Sequence, residues 1–319
     1  MINNKERLQR AERAFGSLSP QAFVESNKAI IGARMHELSK DAQAALNQLR
    51  KNPLSEPEPK LLAALELLIR VTRPSSPCIA DDIGQLSKDQ LKTFPDWAAF
   101  KDKASSKLFA IGRIERHDGE SHFAGPNYEA LGTGFLVKPD MVLTCRHVLS
   151  SLSFGAEVLQ PGMARIDFDR HDDNTAPFGA YALTKVVGIH PDLDIALLGC
   201  EPVAVSEDRM PLSVSAEPVD QGSRVCVIGH PLDAMRSPHF KSVVFGGIYG
   251  IKRASPGEVI GGIVHRAFHD CSTLGGSSGS PVFDMASGEL VGVHCSGQFL
   301  YRNEFVRATS IHNWVVSYL

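Results

Sequence analysis

The 319-residue sequence contains no apolar run of the roughly 18 residues that a membrane-crossing helix needs. Its apolar stretch 61–69 is too short and carries Glu66. No apolar segment follows Met1-Ile2-Asn3-Asn4-Lys5-Glu6-Arg7, so no secretory leader is expected. The cysteines (Cys78, Cys145, Cys200, Cys226, Cys271 and Cys295) are scattered and show no CxxC or related metal spacing. They read as reduced core thiols of a cytoplasmic protein, and Cys226 lies in an apolar run that reads as a buried strand. Neither sign of charge dominates. Lys plus Arg is 33, Asp plus Glu is 36, and the net charge is −3. That excludes a generally basic nucleic-acid binder and an acidic tail. No internal repeat is visible, and collagen, coiled-coil, low-complexity and disulfide-scaffold classes are excluded by composition.

What is present is an ordinary globular composition, 43% apolar and 22% charged. A chain of this length makes two domains, or one large and one small, and needs no staples. Residues 1–103 read as helical. Ser55-Glu56-Pro57-Glu58 predicts a capping box that opens a helix over 60–70. Phe23, Ile30, Ile31, Met35 and Leu38 predict a second apolar face, and Ser39 a cap for a third helix carrying Ala42, Ala45, Leu46 and Leu49. Ser87-Lys88-Asp89-Gln90 is another capping box, and Pro74-Ser75-Ser76-Pro77 reads as a linker or turn. Lys5, Arg7, Arg10 and Arg13, interleaved with Glu6 and Glu12, read as a solvated helix face. This half is expected to be a small helical domain for recruitment or regulation.

From about residue 105 the texture changes to short β-rich runs at 108–114, 133–137, 141–144, 186–189, 195–198, 225–228 and 243–244. Gly, Pro, Asp and Asn punctuate them, which argues for an antiparallel sandwich or barrel. Residues 310–319 read as a terminal helix.

Three local patterns carry chemistry. Gly132-Thr133-Gly134-Phe135-Leu136-Val137 leads to a strand that ends at Arg146-His147-Val148. Asp194 stands at the mouth of the apolar strand Ile195-Ala196-Leu197-Leu198. Gly275-Gly276-Ser277-Ser278-Gly279 is a Gly-rich turn that presents a serine ahead of Pro281-Val282-Phe283. A serine nucleophile needs an adjacent base, and the base needs a third group to orient it. His147 and Asp194 suit those roles, and the glycines around Ser278 let backbone N–H groups converge on an oxyanion. The chain order His, Asp, Ser leaves room for two barrels. The same turn also reads as G-x-S-x-G with Ser277 as nucleophile, but that elbow must enter a helix, and here Pro281 and a strand follow.

At these residues, 105–319 resembles the trypsin-like (chymotrypsin-fold) serine peptidases. Ser272 to Phe283, Gly292-Val293-His294 and Asn303-Glu304-Phe305 are similar to the bacterial glutamyl endopeptidase branch. The resemblance implies a mainly β fold, a double six-stranded antiparallel barrel over 104–319 behind an all-α domain over 1–103. It implies Ser278 as nucleophile, His147 as base, Asp194 as acid, and the N–H groups of Gly276 and Ser278 as the oxyanion hole. It also implies departures from the secreted family. Val148 and Leu274 stand where cysteines are common, which fits a reducing compartment. Ser277 stands where zymogens carry an Asp, so other contacts must order the oxyanion loop.

By the same resemblance Ser272 lies at the base of the S1 pocket, without the Asp that selects Arg or Lys. Thr273 and His294 match the polar pair that holds a P1 carboxylate, and such a pair also suits Gln. The competing reading of His294 is a histidine satisfied inside a barrel core. Arg307 lies near the matching pocket wall and is the candidate for the positive charge that an α-amino group gives in that branch. Ser296 and Gly297 fall on the strand that pairs with the substrate backbone. Among weaker features, residues 167–174 read as a solvated acidic strand end rather than a Ca²⁺ loop, and His117 and His122 are too isolated for zinc.

The sequence thus predicts a cytoplasmic bacterial serine endopeptidase that needs no cofactor. It acts on a protein or peptide, and its resemblance to bacterial peptidases with helical N-terminal modules implies a regulatory partner at residues 1–103 in a defence or signalling system. The alternative is a catalytically silent peptidase-like adaptor. An HtrA-like protease is disfavoured, since no peptide-binding domain is expected after the barrel.

Overall fold

The computed structural model describes residues 4–16, 18–26, 35–122, 125–170, 179–203, 209–233, 244–298 and 302–319. The chain opens with helices α1 (Asn4–Phe15), α2 (Pro20–Ser26), α3 (Met35–Lys51) and α4 (Pro59–Val71). Ala42, Ala45, Leu46 and Leu49 recur at helical spacing on α3 and face Leu65, Leu68 and Ile69 of α4 in a small core of their own. Full burial of each such leucine contributes about 1.5–3 kcal/mol.

Three expectations here are corrected. Ser55 caps nothing. The N-cap of α4 is Glu58, without a side-chain bond, because Pro57 and Pro59 keep the residues before them extended and Pro59 fits the first helical position. Ser39 lies inside α3 and is fully buried. The expected second apolar face is divided, since Phe23 belongs to α2 and Leu38 to α3, while Ile30 and Ile31 lie outside the described residues, as does the side chain of Met35.

Pro74 to Pro77 is more than a turn. Strand β1 (Ser76–Ile79) pairs with a barrel strand (Ser76 with Ala254, Pro77 with Arg253) and with β2 (Asp82–Ile83). Helices α5 (Lys88–Thr93) and α6 (Trp97–Ala104) follow, and the predicted Ser87 capping box is present. Phe94, Trp97 and Phe100 pack into the barrel core and not into the helical one.

Strands β3 (Ile111–His122), β4 (Gly125–Lys138), β5 (Met141–Thr144), β6 (Ala164–Asp167), β7 (Ala180–Ile189) and β8 (Ala196–Pro202) close a barrel in the order β3-β4-β5-β8-β7-β6. Helix α7 (Arg146–Leu152) leaves β5. Strands β9 (Arg224–Gly229), β10 (Arg253–Gly262), β11 (Arg266–His269), β12 (Pro281–Asp284), β13 (Leu290–Gln298) and β14 (Arg302–Arg307) form a second six-stranded ring, closed by the β10–β11 pairing. The expected double antiparallel barrel is the observed fold. Strand period explains the core. Val225 and Val227 of β9 face the second barrel's interior, while Cys226 and Ile228 face the large core shared with the first. Helix α8 (Ala308–Val316) closes the chain near the predicted position.

Further corrections concern polar segments. The predicted strand at 243–244 is absent: Val244 and Phe245 sit in a helical turn, and Val243 lies outside the described residues. Asp167 is fully buried, beside Arg170 at 3.0 Å, and Asp169 pairs with Arg209 at 3.0 Å, so the described part of 167–174 is no solvated end. Lys252 clamps this stretch by donating from Nζ to the Phe168 and Leu108 carbonyls. Residues 171–174 and the side chain of His122 lie outside the described residues. On α1, Lys5 is exposed, but Arg10 is only 2% exposed. No helix among the described residues is long and apolar enough to cross a membrane.

Candidate active site

His147 enters on the first turn of α7, where backbone N–H groups have no helical partner. Asp194 takes up that N–H with Oδ1 at 2.9 Å and holds the ring's Nδ1 with Oδ2 at 2.7 Å. A carboxylate only accepts, so in the neutral ring Nδ1 carries the proton and Nε2 presents its lone pair. The imidazole is 46% exposed and Asp194 25%. The loop that carries Asp194 is shaped by His190, whose Nδ1 accepts from the N–H groups of Asp192 and Leu193 at 3.2 and 3.1 Å. Burial lowers the His190 pKa and favours the neutral acceptor form. Its ring rests on Trp314 of α8, 5.3 Å between centroids.

Ser278 lies in the turn between β11 and β12, across the barrel junction. Gly276 and Gly279 have φ of +83° and +87°, a region that side chains disfavour. A Cβ on Gly279 would also lie 2.0 Å from the Thr133 carbonyl. Carbonyls of the turn are tied down. Gly275 O accepts from Leu232 N at 2.7 Å, Gly276 O from Thr133 Oγ1 at 2.8 Å, and Ser278 O from Thr133 N at 2.9 Å. With those carbonyls held, the N–H groups of Gly276 and Ser278 make no hydrogen bond among the described residues. Both turns also meet at the His294 carbonyl, which accepts from Cys145 Sγ at 3.3 Å and from Gly279 N at 2.8 Å. Ser278 Oγ is half-buried and makes no hydrogen bond to His147.

The other predicted site residues are placed unevenly. Ser272 is buried, and its hydroxyl donates to the Arg73 carbonyl at 2.8 Å. Thr273 is half-buried and points toward the Cα of Gly297, where an added Cβ would lie 3.9 Å from Thr273 Oγ1. Ser296 and Gly297 are exposed on β13, just past a bulge that follows His294. His294 itself is 2% exposed, with Nδ1 3.0 Å from His269 Nε2. Burial, and secondarily the proximity of His147, pushes its pKa down to about 3, and burial pushes His269 well below 6.5. The pair is neutral at ordinary pH and shares one proton in the bond between them. Arg307 is turned elsewhere, donating to the Val219 and Ile263 carbonyls at 3.0 and 3.3 Å.

Donor atoms of Cys145, His147 and Asp194 lie within 4.8 Å of one another, a spacing that can hold a metal ion. Burial raises the Cys145 thiol well above 9, so it is a protonated donor to a carbonyl and a poor ligand. Sequence reasoning missed Thr133, His190 and His269. Thr133 had a signal, its place between two glycines on the strand facing the serine turn.

A glutamyl endopeptidase of Staphylococcus epidermidis is 26% identical over 189 residues, which cover 55% of this chain and 60% of that protein. Its counterparts in two named strains of the species give the same values. The chain thus spans less than two thirds of the length of these relatives. The active form of the Rv3671c protease from M. tuberculosis aligns over 67% of this chain and 82% of its own, with 19% identity and a TM-score of 0.44. An inactive form of the same protease gives 68%, 92%, 19% and 0.43. Residues 132–293, half of the chain, match the family described as the trypsin-like peptidase domain, and the protein belongs to that family.

Proposed function

We propose that the protein is a serine endopeptidase in which Ser278 is the nucleophile, His147 the general base and Asp194 the group that orients it. The observation that carries this reading is the two-point grip of Asp194 on His147, which fixes the tautomer with a free Nε2. Catalytic hydrogen bonds are often long before substrate binds, and substrate brings Ser278 Oγ onto Nε2. Oγ then bonds to the scissile carbonyl carbon as its proton passes to Nε2. The N–H groups of Gly276 and Ser278 receive the oxyanion, each such donor contributing roughly 3 kcal/mol to the transition state. The imidazolium hands its proton to the leaving amine. Water, deprotonated by the same nitrogen, cleaves the ester and restores the Ser278 hydroxyl.

The favoured substrate carries Glu or Gln at P1. Thr273 and the neutral His294, holding Nδ1 toward His269, offer hydrogen-bond donors to a side-chain oxygen, and the name of the staphylococcal relatives supports an acidic residue. Ser272 supports the pocket from behind, with its hydroxyl on Arg73. Ser296 and Gly297 offer strand pairing to the substrate backbone. Residues 1–103 act as the recruitment or regulatory part, in a cytoplasmic bacterial defence or signalling system.

One observation favours a second reading, a silent peptide-binding adaptor: Ser278 Oγ is not bonded to His147. Fluorophosphonate labelling of the wild type and of Ser278→Ala, located by peptide mass spectrometry, decides between them. Label at Ser278 that is lost in the variant is the expected result. A folded wild type that takes no label leaves the adaptor.

A further inference from the structure

The run from Asp270 to Leu274 leads directly into the Ser278 turn, and every second residue of it is held by the helical part of the chain. Asp270 is fully buried. Its Oδ2 accepts from Arg10 Nε and Nη2 of α1, at 3.3 and 3.1 Å, and from Arg73 Nη2 at 2.9 Å. Its Oδ1 accepts from the Glu258 backbone of β10 at 2.8 Å. Ser272 donates to the Arg73 carbonyl. Leu274 packs on Val244 and Phe245, the same pair on which Leu67 and Val71 of α4 pack. The alternate residues point the other way. Cys271 lies in the core of the second barrel, and Thr273 faces Gly297. This is the period-two alternation of an extended segment, with one face given to the helices and the other to the barrel and cleft.

Two arginines of α1 are themselves fixed. Arg10 also forks onto Glu66 of α4, with both oxygens at 3.2 Å, and Arg13 forks onto Glu258 with distances down to 2.6 Å. Arg10 and Asp270 are 260 residues apart in sequence, so this is a long-range strut between α1 and the wall of the candidate cleft. Removing Arg10 leaves Asp270 with Arg73 alone of these two arginines and takes the fork from buried Glu66, so the buried charge is undercompensated and the backbone that carries Asp270 is held less firmly.

We propose that Arg10 and Arg73 are positioning residues for substrate binding: through Asp270 and Ser272 they hold residues 270–274 in the conformation that presents Thr273 and the Ser278 turn. This rests on the serine endopeptidase reading for its kinetic consequence but not for its structural one. The helical part thereby does the ordering that the absent zymogen Asp, replaced by Ser277, cannot do.

The test uses the full chain as wild type, Arg10→Ala and Arg10→Lys. The Lys variant keeps the charge but cannot fork onto Glu66 and Asp270 together, and it serves where the Ala variant fails to fold. Hydrogen exchange by mass spectrometry is expected to show the bonded amides of 270–278 (Asp270, Leu274 and Ser277) losing at least tenfold protection, while β9 and β12 keep theirs. Unchanged protection of 270–278, or equal loss throughout the second barrel, overturns the proposal whatever the activity. Kinetics are then normalised to sites titrated with fluorophosphonate, so that misfolded protein does not count. The expected result is a KM raised about tenfold or more, kcat per titrated site within about threefold, and partial rescue in Arg10→Lys. An unchanged KM per site overturns the proposal as well. A wild type that takes no label overturns the peptidase reading instead, and hydrogen exchange alone then decides the positioning role.

Discussion

Thr133 holds Gly276 from the opposite barrel, donating from Oγ1 to its carbonyl at 2.8 Å while the Thr133 N–H donates to the carbonyl of Ser278 at 2.9 Å. The same Oγ1 accepts from His230 N at 3.0 Å. One threonine therefore orients the 276–277 and 278–279 peptides, which flank the peptide that carries the Ser278 N–H. Thr133→Val keeps the shape and removes both side-chain bonds. We expect kcat to fall roughly tenfold or more with KM little changed, because direct loss of an oxyanion donor costs about 10²–10³-fold and this loss is indirect. Thr133→Ser should retain most activity. Steady-state kinetics on titrated enzyme checks this, and an unchanged kcat in the Val variant contradicts it.

Asp194→Asn should lower kcat on the order of 10⁴-fold without unfolding the chain. The amide can donate to Nδ1, which moves the ring proton to Nε2 and removes the base that Ser278 needs. The rate of fluorophosphonate labelling reports this directly, and a rate within tenfold of wild type sinks the assignment.

Acid should destabilise the fold before most carboxylates titrate. Folded His294 titrates at about 3 and His269 well below 6.5, while both titrate near 6.5 when unfolded. Below pH 6.5 the unfolded chain therefore binds more protons, and stability falls as pH falls toward the folded values. The slope approaches about 1.4 kcal/mol per pH unit for each of these two buried histidines. His190, also lowered by burial, acts in the same direction. Urea midpoints should drop between pH 7 and pH 5, and equal midpoints would rule the mechanism out.

His294→Gln should change which bonds are cut. A peptide library should show cleavage after Glu or Gln with the wild type. The variant should lose on the order of tenfold or more in kcat/KM for those substrates relative to apolar P1 residues. A P1 profile that the substitution leaves unmoved returns His294 to a purely structural role.

All six cysteines are free and buried. Burial pushes the thiols of Cys78, Cys200 and Cys295 up to about 12. None should react with a thiol reagent such as DTNB until the chain unfolds, and activity should be the same with or without reductant. Rapid modification of the native protein would contradict the burial.

The candidate site was legible wherever its signal is local. The strand at 141–144 was read to the residue, because three apolar residues and a β-branched threonine run between a turn and a polar helix start. His147 and the Ser278 turn were legible because glycine and a lone histidine at a strand end are unusual there. Strand β10 was not legible. Its Arg253, Ser255 and Glu258 are buried and break the apolar pattern of a strand, and their partners Ser75 and Arg13 are far away in sequence. Arg10 was misread for the same reason. A charged side chain announces exposure unless its counter-ion is known, and here the counter-ions come from the other end of the chain. The cap of α4 was misplaced because two prolines displaced a serine signal that only a flexible stretch could have used.

The bond between Arg10 and Asp270 also sets an order of events during synthesis. α1 is made well before its partner carboxylate, which follows 260 residues later. At about 5–20 residues per second that interval lasts on the order of tens of seconds. Through it the nascent chain carries an arginine without its carboxylate and a cleft not yet built. The strut therefore cannot form until the wall of the candidate cleft has itself been made.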